Sequence, residues 1–337
     1  MKGTQKYSTV LQACLSASLL AGVLASAHGA ADPGYLYVTN FNAGRIDRYD
    51  TVGGQIGGGR VVGLVSGLTL PTGVVVIGNN LFVESYTNGT IGEYNATTGA
   101  AINSHLISGL NSPEALATDG TNLFVANFGT AGGHNGSIGE YTTAGAAVNA
   151  ALITGLSNPA GLAVGASISG NARALYVATG FNSSGSEGIS EYNTSGGTVN
   201  ASFISDTKSP SGVAFAGNDL YVSNLSDNSV AHYNATTGSL FSGSILPGST
   251  TNPQYLAIDA AGSNLYMTGT TGFPNALVDV FSLPSGTLNG APGLNSMDAP
   301  WGLFQVPEPN GCTNIVLGGV ALLGFKRYSR RRKTGIA

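Results

Sequence analysis

The chain contains 337 residues, of which 42% are hydrophobic and only 9% are Asp, Glu, Lys or Arg. Soluble domains average about 25% charged residues, so this composition excludes a coiled coil and a charge-driven disordered chain. Glycine contributes 51 residues, about twice its usual share. Many turn formers, separated by β-branched and aromatic residues, predict an all-β protein built from short strands.

Charge is distributed unevenly along the chain. Eight of the 13 basic residues lie in the first six or the last twelve positions, whereas all 17 acidic residues lie between Asp32 and Glu308. That middle part has five basic residues and therefore a net charge of −12. A surface of this sign repels phosphate backbones, so we expect no nucleic-acid partner.

Residues 1–27 have the pattern of a secretory signal peptide. Lys2 and Lys6 precede an apolar stretch at residues 11–24, and the small residues 25–27 form a cleavage site. An uncleaved membrane anchor is the alternative, but the stretch is short for a spanning helix. The two cysteines, Cys14 and Cys312, lie near the ends of the chain, so we expect no disulfide in the mature body.

The C-terminal residues 307–337 contain three successive features of a sorting signal. Pro307, Glu308 and Pro309 come first, an apolar run covers residues 312–325, and a basic cluster follows. That cluster includes three consecutive arginines: Arg330, Arg331 and Arg332. The apolar run has 14 residues, fewer than the roughly 20 of a stable span, which favours a segment that is later removed.

This order of features resembles the PEP-CTERM sorting signal of Gram-negative bacteria. The resemblance implies processing by an exosortase near Pro-Glu-Pro and a link to exopolysaccharide or the biofilm matrix. We therefore expect an exported protein with a transient inner-membrane association. After processing it would reside in the periplasm, at the outer surface or in the extracellular matrix.

The middle of the chain repeats one unit six times. Each unit contains a Leu-aromatic-Val or Leu-aromatic-Met strand, an Ile-x-x-Tyr-like strand, a weaker strand, and a strand that begins at a proline. The first of these strands begins at Leu36, Leu81, Leu123, Leu175, Leu220 and Leu265. The prolines are Pro71, Pro113, Pro159, Pro210, Pro253 and Pro300. Four short strands in about 45 residues predict a β-propeller blade.

The repeats are out of phase with the chain ends. The chain enters at the second strand of blade 1, near residue 35, and we expect residues 300–304 to return as the innermost strand of that blade. Such shared-strand closure leaves no open sheet edge. The sequence thus predicts a six-bladed β-propeller over residues 35–306, between a signal peptide and a C-terminal sorting helix.

The repeat pattern Pro-x-Gly-Leu-Ala, Leu-Tyr-Val-x-Asn and Ile-x-x-Tyr resembles NHL-type propellers. Gluconolactonase-like and virginiamycin-lyase-like propellers are relatives by this resemblance, which covers the whole body. It implies the fold and leaves the chemistry open. A gluconolactonase-like metal site would need acid and amide ligands, for which this chain offers Glu84, Glu114, Asn127 and Asn224. A lyase-like site would need a histidine, for which His134 is the candidate.

Alignment of the six copies shows which channel-facing positions depart from the repeat. The residues after the prolines are Thr72, Glu114, Ala160, Ser211, Gln254 and Trp301. The residues after the Leu-aromatic-Val or Leu-aromatic-Met strands are Thr39, Glu84, Ala126, Ala178, Ser223 and Thr268. Each set contains a single carboxylate, and the two belong to neighbouring blades. They predict either a paired site for a cation or acid–base chemistry, or two separately solvated side chains.

Longer loops between the second and third strands mark a second candidate surface. The loop of blade 3 contains Asn127, Phe128 and His134, and that of blade 4 contains Glu187. Insertions on one face of a repeat protein often lie at its binding side, although loops also lengthen at little cost. With these residues we group Gln254 and Trp301 from the channel mouth as candidate ligand contacts.

Three hypotheses of function remain from the sequence. The favoured one is a non-enzymatic binding module, exported to the surface or matrix, whose mouth contacts a glycan or another protein. The second is a metal-dependent lactonase or lyase that uses Glu84 and Glu114, in which case a divalent cation is bound. The third is a purely structural matrix protein. No catalytic triad, phosphate loop or other cofactor motif occurs, and we expect no further cofactor.

Overall fold

A computed structural model describes residues 34–52, 55–130, 133–167, 173–180, 187–243, 245, 251–259, 262–270, 276–283 and 287–288. Within these ranges the chain forms 23 β-strands and no helix. None of these residues belongs to a helix that could cross a bilayer. The predicted signal peptide, the predicted closing strand at residues 300–304 and the predicted sorting tail lie outside the described residues.

The strands form six antiparallel sheets in chain order. Sheet 1 contains β1 (Gly34–Asn40), β2 (Arg45–Val52) and β3 (Gln55–Ser66). Sheet 2 contains β4 (Pro71–Ile77), β5 (Asn80–Ser85), β6 (Thr90–Asn95) and β7 (Ala101–Ser108). Sheet 3 contains β8 (Pro113–Thr118), β9 (Asn122–Asn127), β10 (Gly136–Thr142) and β11 (Ala147–Leu156).

Sheet 4 contains β12 (Gly161–Ala166), β13 (Arg173–Thr179), β14 (Gly188–Asn193) and β15 (Thr198–Ile204). Sheet 5 contains β16 (Pro210–Ala216), β17 (Asp219–Asn224), β18 (Ser229–Asn234) and β19 (Leu240–Ser242). Sheet 6 contains β20 (Thr251–Ile258), β21 (Asn264–Thr270), β22 (Ala276–Ser282) and β23 (Thr287–Leu288). The first strands β4, β8, β12, β16 and β20 contact one another in succession, so the sheets are the blades of a six-bladed β-propeller.

The Leu-aromatic-Val strands are the most deeply buried part of each blade. Leu36, Phe82 and Val125, for example, have no exposed surface. Alternate side chains of a strand point to opposite faces of its sheet, and each face of a blade packs against a neighbour. Both faces are therefore apolar, and this produces the continuous hydrophobic triplets on which the repeat prediction rests.

The strand boundaries differ from the sequence prediction mainly at the outer edge of each blade. In the sequence, the weaker fourth strands of blades 2 and 3 are clearest at residues 106–110 and 152–156, but in the structure they begin at Ala101 and Ala147. The first halves of these strands are solvent-exposed, and their apolar and polar residues alternate less clearly. The hydrophobic pattern therefore does not identify them as strand. The innermost strands begin at a proline in blades 2, 3 and 5, as predicted.

The outer strands of blades 2, 3 and 4 are bent by a repeated bulge. The register shifts where Asn103 faces Glu93, and corresponding shifts occur at Asn149 and Asn200. In each case the Asn side chain accepts a hydrogen bond from the backbone N–H two residues later. The bulge thus uses the Asx-turn tendency of asparagine to interrupt a straight strand edge.

The chain enters the innermost strands through a residue with left-handed backbone. The residue before the proline has φ between 45° and 54° in blades 2 to 6: Leu70, Ser112, Asn158, Ser209 and Asn252. Non-glycine residues rarely adopt this conformation. Because five copies share it, we interpret it as part of the blade architecture and not as a mark of one site.

The turn between the third and fourth strands carries a glycine that packs on the preceding blade. Gly99 has φ +72°, and a Cβ there would lie 1.6 Å from the Leu64 carbonyl oxygen. Gly109, which follows the fourth strand, has φ +81°, but a Cβ there would meet nothing within 4 Å.

We expect Gly109→Ala to cost about 1 kcal/mol from backbone strain alone, and Gly99→Ala about 2 kcal/mol. Urea unfolding of both variants tests this difference, and equal losses would contradict the packing role.

Candidate functional site

Side chains on the second strands of blades 1 and 5 connect each of these two blades to the next one around the channel. Thr39 Oγ1 donates to the carbonyl of Thr72 at 3.0 Å. Ser223 Oγ donates to the carbonyl of Gln254 at 2.8 Å and accepts from the Gly212 N–H at 2.7 Å. In blades 1 and 5, a hydroxyl at this aligned position therefore has a structural role.

Glu84 occupies the same aligned position in blade 2. Its Oε2 accepts hydrogen bonds from the Gly73 N–H at 2.9 Å and from Thr72 Oγ1 at 3.3 Å. The side chain has no exposed surface, and its Oε1 has no hydrogen-bond partner in the described part of the chain. A Cβ on Gly73 would lie 2.1 Å from Oε2, so this glycine makes room for the carboxyl group.

Glu114, on β8 of blade 3, is joined to blade 6 across the channel. Tyr255, on β20, donates its hydroxyl to Glu114 Oε1 at 2.6 Å. Blades 3 and 6 are opposite one another in a ring of six, so this hydrogen bond spans the channel. Tyr255 is 4% exposed, whereas Glu114 is partly exposed.

Burial governs the protonation of this group of residues. It raises the pKa of Glu84 well above its ordinary value; the Gly73 N–H opposes this and the nearby Glu114 charge adds to it. Burial also raises the pKa of Glu114 from 4.5 to about 7, against the hydrogen bond from Tyr255. Tyr86 packs against the apolar cluster that contains Tyr255, and its pKa is raised by burial and then by the Glu114 charge.

The site therefore combines two carboxyl groups, two tyrosine side chains and the hydroxyl of Thr72. Carboxylates accept hydrogen bonds, and tyrosine offers both an apolar ring and a hydroxyl, so the site suits a ligand with several hydroxyl groups. At neutral pH at least one carboxyl can hold a proton, which permits acid–base chemistry. No group of three or more His, Cys, Asp or Glu within the described ranges could hold a metal ion.

The two asparagines predicted as metal ligands, Asn127 and Asn224, form hydrogen bonds with the backbone of neighbouring segments. Asn127 Oδ1 accepts from the Asn111 N–H at 3.2 Å, and Asn224 Oδ1 accepts from the Lys208 N–H at 3.0 Å. Gln254 is buried beside the channel, next in sequence to Tyr255. The two asparagines thus hold the chain as it approaches the innermost strands, while Glu84 and Glu114 lie together.

The residues predicted on the long loops connect adjacent blades. His134 Nδ1 lies 2.5 Å from Ser157 Oγ, and Glu187 Oε2 accepts from the Ser209 N–H at 2.7 Å. The Phe128 carbonyl accepts from Asn158 Nδ2 at 3.3 Å. Each loop is therefore fastened to the segment that enters the next blade. Trp301, Pro307, Glu308, Pro309 and Arg330–Arg332 lie outside the described residues.

The sequence prediction missed two site residues, Tyr86 and Tyr255. Tyr255 lies two positions after its repeat proline, where the six copies read Gly73, Ala115, Gly161, Gly212, Tyr255 and Gly302. A single large side chain among glycines and alanine is a departure of the same kind that identified Glu84 and Glu114. Alignment of this third column would have found it.

Comparison with known proteins places the chain by fold. No protein-family model and no curated protein matches its sequence. Among solved structures, a nidogen/laminin complex chain is similar, with a TM-score of 0.63, 16% identity, and coverage of 80% of this chain and 96% of that chain. A gluconolactonase from Xanthomonas campestris has a TM-score of 0.55 and 18% identity, over 74% of this chain and 85% of that one.

The PQQ-bound aldose sugar dehydrogenase of Streptomyces coelicolor is similar to the same degree. Its TM-score is 0.57 at 16% identity, over 75% of this chain and 89% of that one. The three neighbours differ in role, as their names state, and share the propeller. The chain thus has the six-bladed propeller fold, with structural neighbours of the gluconolactonase and sugar-dehydrogenase type.

Proposed function

We propose that this protein is an exported propeller, associated with the cell surface or the exopolysaccharide matrix, that binds a hydroxyl-rich glycan in its channel. The observation that carries the proposal is the buried Oε1 of Glu84, close to the Glu114 charge, for which the described residues supply no hydrogen-bond partner. A buried acceptor without a donor costs about 1–3 kcal/mol, and a ligand hydroxyl would remove that cost. The ring of Tyr86 offers an apolar surface for the flat face of a sugar.

The location in this proposal rests on the two ends of the chain. A signal peptide at residues 1–27 and a sorting tail at residues 307–337 would send the propeller out of the cell. The partners that follow are an exosortase-type processing enzyme and an exopolysaccharide or matrix protein. The small number of charged residues is compatible with a neutral polysaccharide as the ligand.

Glycan binding should depend on both channel carboxyl groups. We expect Glu84→Gln and Glu114→Gln to weaken binding of soluble exopolysaccharide fragments about 10-fold or more, because each replaces a carboxyl oxygen with an amide NH2 group, which donates hydrogen bonds and cannot accept them. The matched control is Glu140→Gln. Glu140 lies on the third strand of blade 3, away from the innermost strands, and accepts a hydrogen bond from Asn122 Nδ2. Calorimetric titration of a fragment panel measures the effect. Equal losses in all three variants would contradict a channel site.

A metal-dependent lactonase or lyase is the second candidate, favoured by the pairing of Glu84 with Glu114. Such an enzyme would bind the cation through Glu84 and use Glu114 as the acid or base. Thermal unfolding with calcium, magnesium and zinc tests it. A metal present at a hundred times its dissociation constant should stabilise the fold by about 2.7 kcal/mol, and Glu84→Gln should abolish this. No shift with any ion leaves glycan binding as the proposal.

A further inference from the structure

Tyr255 occupies a position where the propeller otherwise requires a small residue. A Cβ on Gly161 would lie 1.9 Å from the Ser211 carbonyl oxygen, and one on Gly212 would lie 2.8 Å from that of Gln254. The innermost strands of neighbouring blades are thus too close for side chains directed between them. Blade 6 nevertheless carries a tyrosine there, and its hydroxyl reaches Glu114 on the opposite blade.

The tyrosine ring is held firmly in this position. Tyr255 belongs to the same packed apolar cluster as Tyr37, Val74 and Leu81 of blades 1 and 2, with Tyr86 packed against that cluster. Its hydroxyl has one acceptor, Glu114 Oε1, at 2.6 Å. A rigid ring with a hydroxyl directed at a carboxyl group presents the same chemistry as a sugar hydroxyl bound at that carboxyl.

We propose that Tyr255 is a specificity-determining residue of the channel site, because its hydroxyl occupies on Glu114 the position that a ligand hydroxyl takes. This inference rests on the proposed glycan function. A ligand enters by displacing the tyrosine hydroxyl, and only a ligand that donates a replacement hydrogen bond recovers what is lost. The site therefore rejects ligands that lack a hydroxyl at the matching position, since they break the bond from Tyr255 and give Glu114 Oε1 no donor in exchange.

The Tyr255→Phe variant tests the competition directly. It keeps the ring and removes the hydroxyl, so we expect hydroxylated glycan fragments to bind about 2- to 10-fold more tightly, the range expected for one net hydrogen bond. A deoxy-sugar fragment should gain affinity by a similar factor and so become a detectable ligand, since it no longer has to break the bond between Tyr255 and Glu114. The control is Tyr221→Phe, because Tyr221 is buried on β17 and its hydroxyl has no partner among the described residues.

The same variant gives a readout that needs no ligand. In protein labelled with ¹³C at the glutamate carboxyl carbons, the Glu114 signal should titrate at higher pH in Tyr255→Phe than in the wild type, because the hydroxyl bond favours the ionised form. An unchanged titration would show that the cross-channel bond is not formed and would overturn the inference.

The binding outcomes separate this inference from the proposed function. Binding by Tyr255→Phe to fragments that the wild type binds weakly or not at all supports both. Weaker or unchanged binding in Tyr255→Phe, with normal binding in the wild type, overturns the displacement role and leaves glycan binding intact. If neither protein binds any fragment while the Glu114 titration still differs, the glycan function fails, and the specificity role fails with it.

Discussion

Replacement of Asp47 by alanine is expected to destabilise the propeller by about 3 kcal/mol. Asp47 has no exposed surface and pairs with Arg45 at 3.0 Å and with Arg60 at 3.2 Å. It also accepts the Gly63 N–H at 2.7 Å. Without the Asp47 carboxylate, two mostly buried guanidinium groups lose an opposite charge and one backbone N–H loses its acceptor. Buried charge that loses its partner is costly. Urea unfolding at neutral pH measures the loss.

The control for this prediction is Asp50→Ala on the same strand. Asp50 forms no ion pair among the residues that the structure describes, so its replacement should change stability by less than about 1 kcal/mol. Blade 1 holds three of the five basic residues of the body, and Asp47 brings two of them together. Similar losses in both variants would indicate that the ion cluster contributes little.

Stability is expected to fall as the pH rises from about 4.5 to 7, owing to the channel carboxyls. Burial raises the pKa of Glu114 in the folded protein to about 7, so between these values the folded state holds a proton that the unfolded state has released. The contribution of Glu114 to the free energy of unfolding is therefore complete below pH 4.5 and is lost as the pH approaches 7. The full shift would correspond to about 3 kcal/mol, and partial exposure of Glu114 reduces it to between about 2 and 3 kcal/mol.

Comparison of variants isolates this contribution from that of the other acidic groups. Glu114→Gln should remove the part of the decline that is due to Glu114, because the amide does not titrate, whereas Glu140→Gln should retain it. The raised pKa of Glu84 has the same sign and adds to the decline in all these proteins. Thermal unfolding scans between pH 4 and 9 provide the measurement. A decline of equal size in Glu114→Gln and the wild type would show that the channel is not its source.

The fold could be predicted because each blade repeats the constraints of its neighbours. Triplets such as Leu81-Phe82-Val83 are buried on both faces of the sheet, and six copies at regular spacing identify the blades. The outer strands could not be bounded, since Ala101 to His105 are exposed and few packing contacts limit their sequence. The hydrophobic pattern of a strand reflects its burial, so the pattern is weak in strands that are exposed to solvent.

The sequence predicts the two carboxyl groups of the site, because two aligned positions of the repeat each contain a single carboxylate. Glu84 and Glu114 are departures from their columns, and the structure places them together. Tyr255 departs from a third column, beyond the two that identify the carboxyl groups. Its pairing with Glu114 has no local pattern, because residues 255 and 114 lie 141 positions apart and meet only when the ring closes. The loop residues His134 and Glu187 also belong to departures from the repeat, yet their described contacts fasten neighbouring loops.

The asparagine bulges of the outer strands have a consequence for behaviour in concentrated salt. Many proteins prevent their exposed strands from pairing with other molecules by placing charges there, and dissolved ions weaken that repulsion. Here β7, β11 and β15 carry no acidic residue, lysine or arginine, and Asn103, Asn149 and Asn200 instead bend the edge out of register. A barrier made by shape does not depend on ionic strength. The protein should therefore remain as resistant to edge-to-edge aggregation in brine as in dilute buffer.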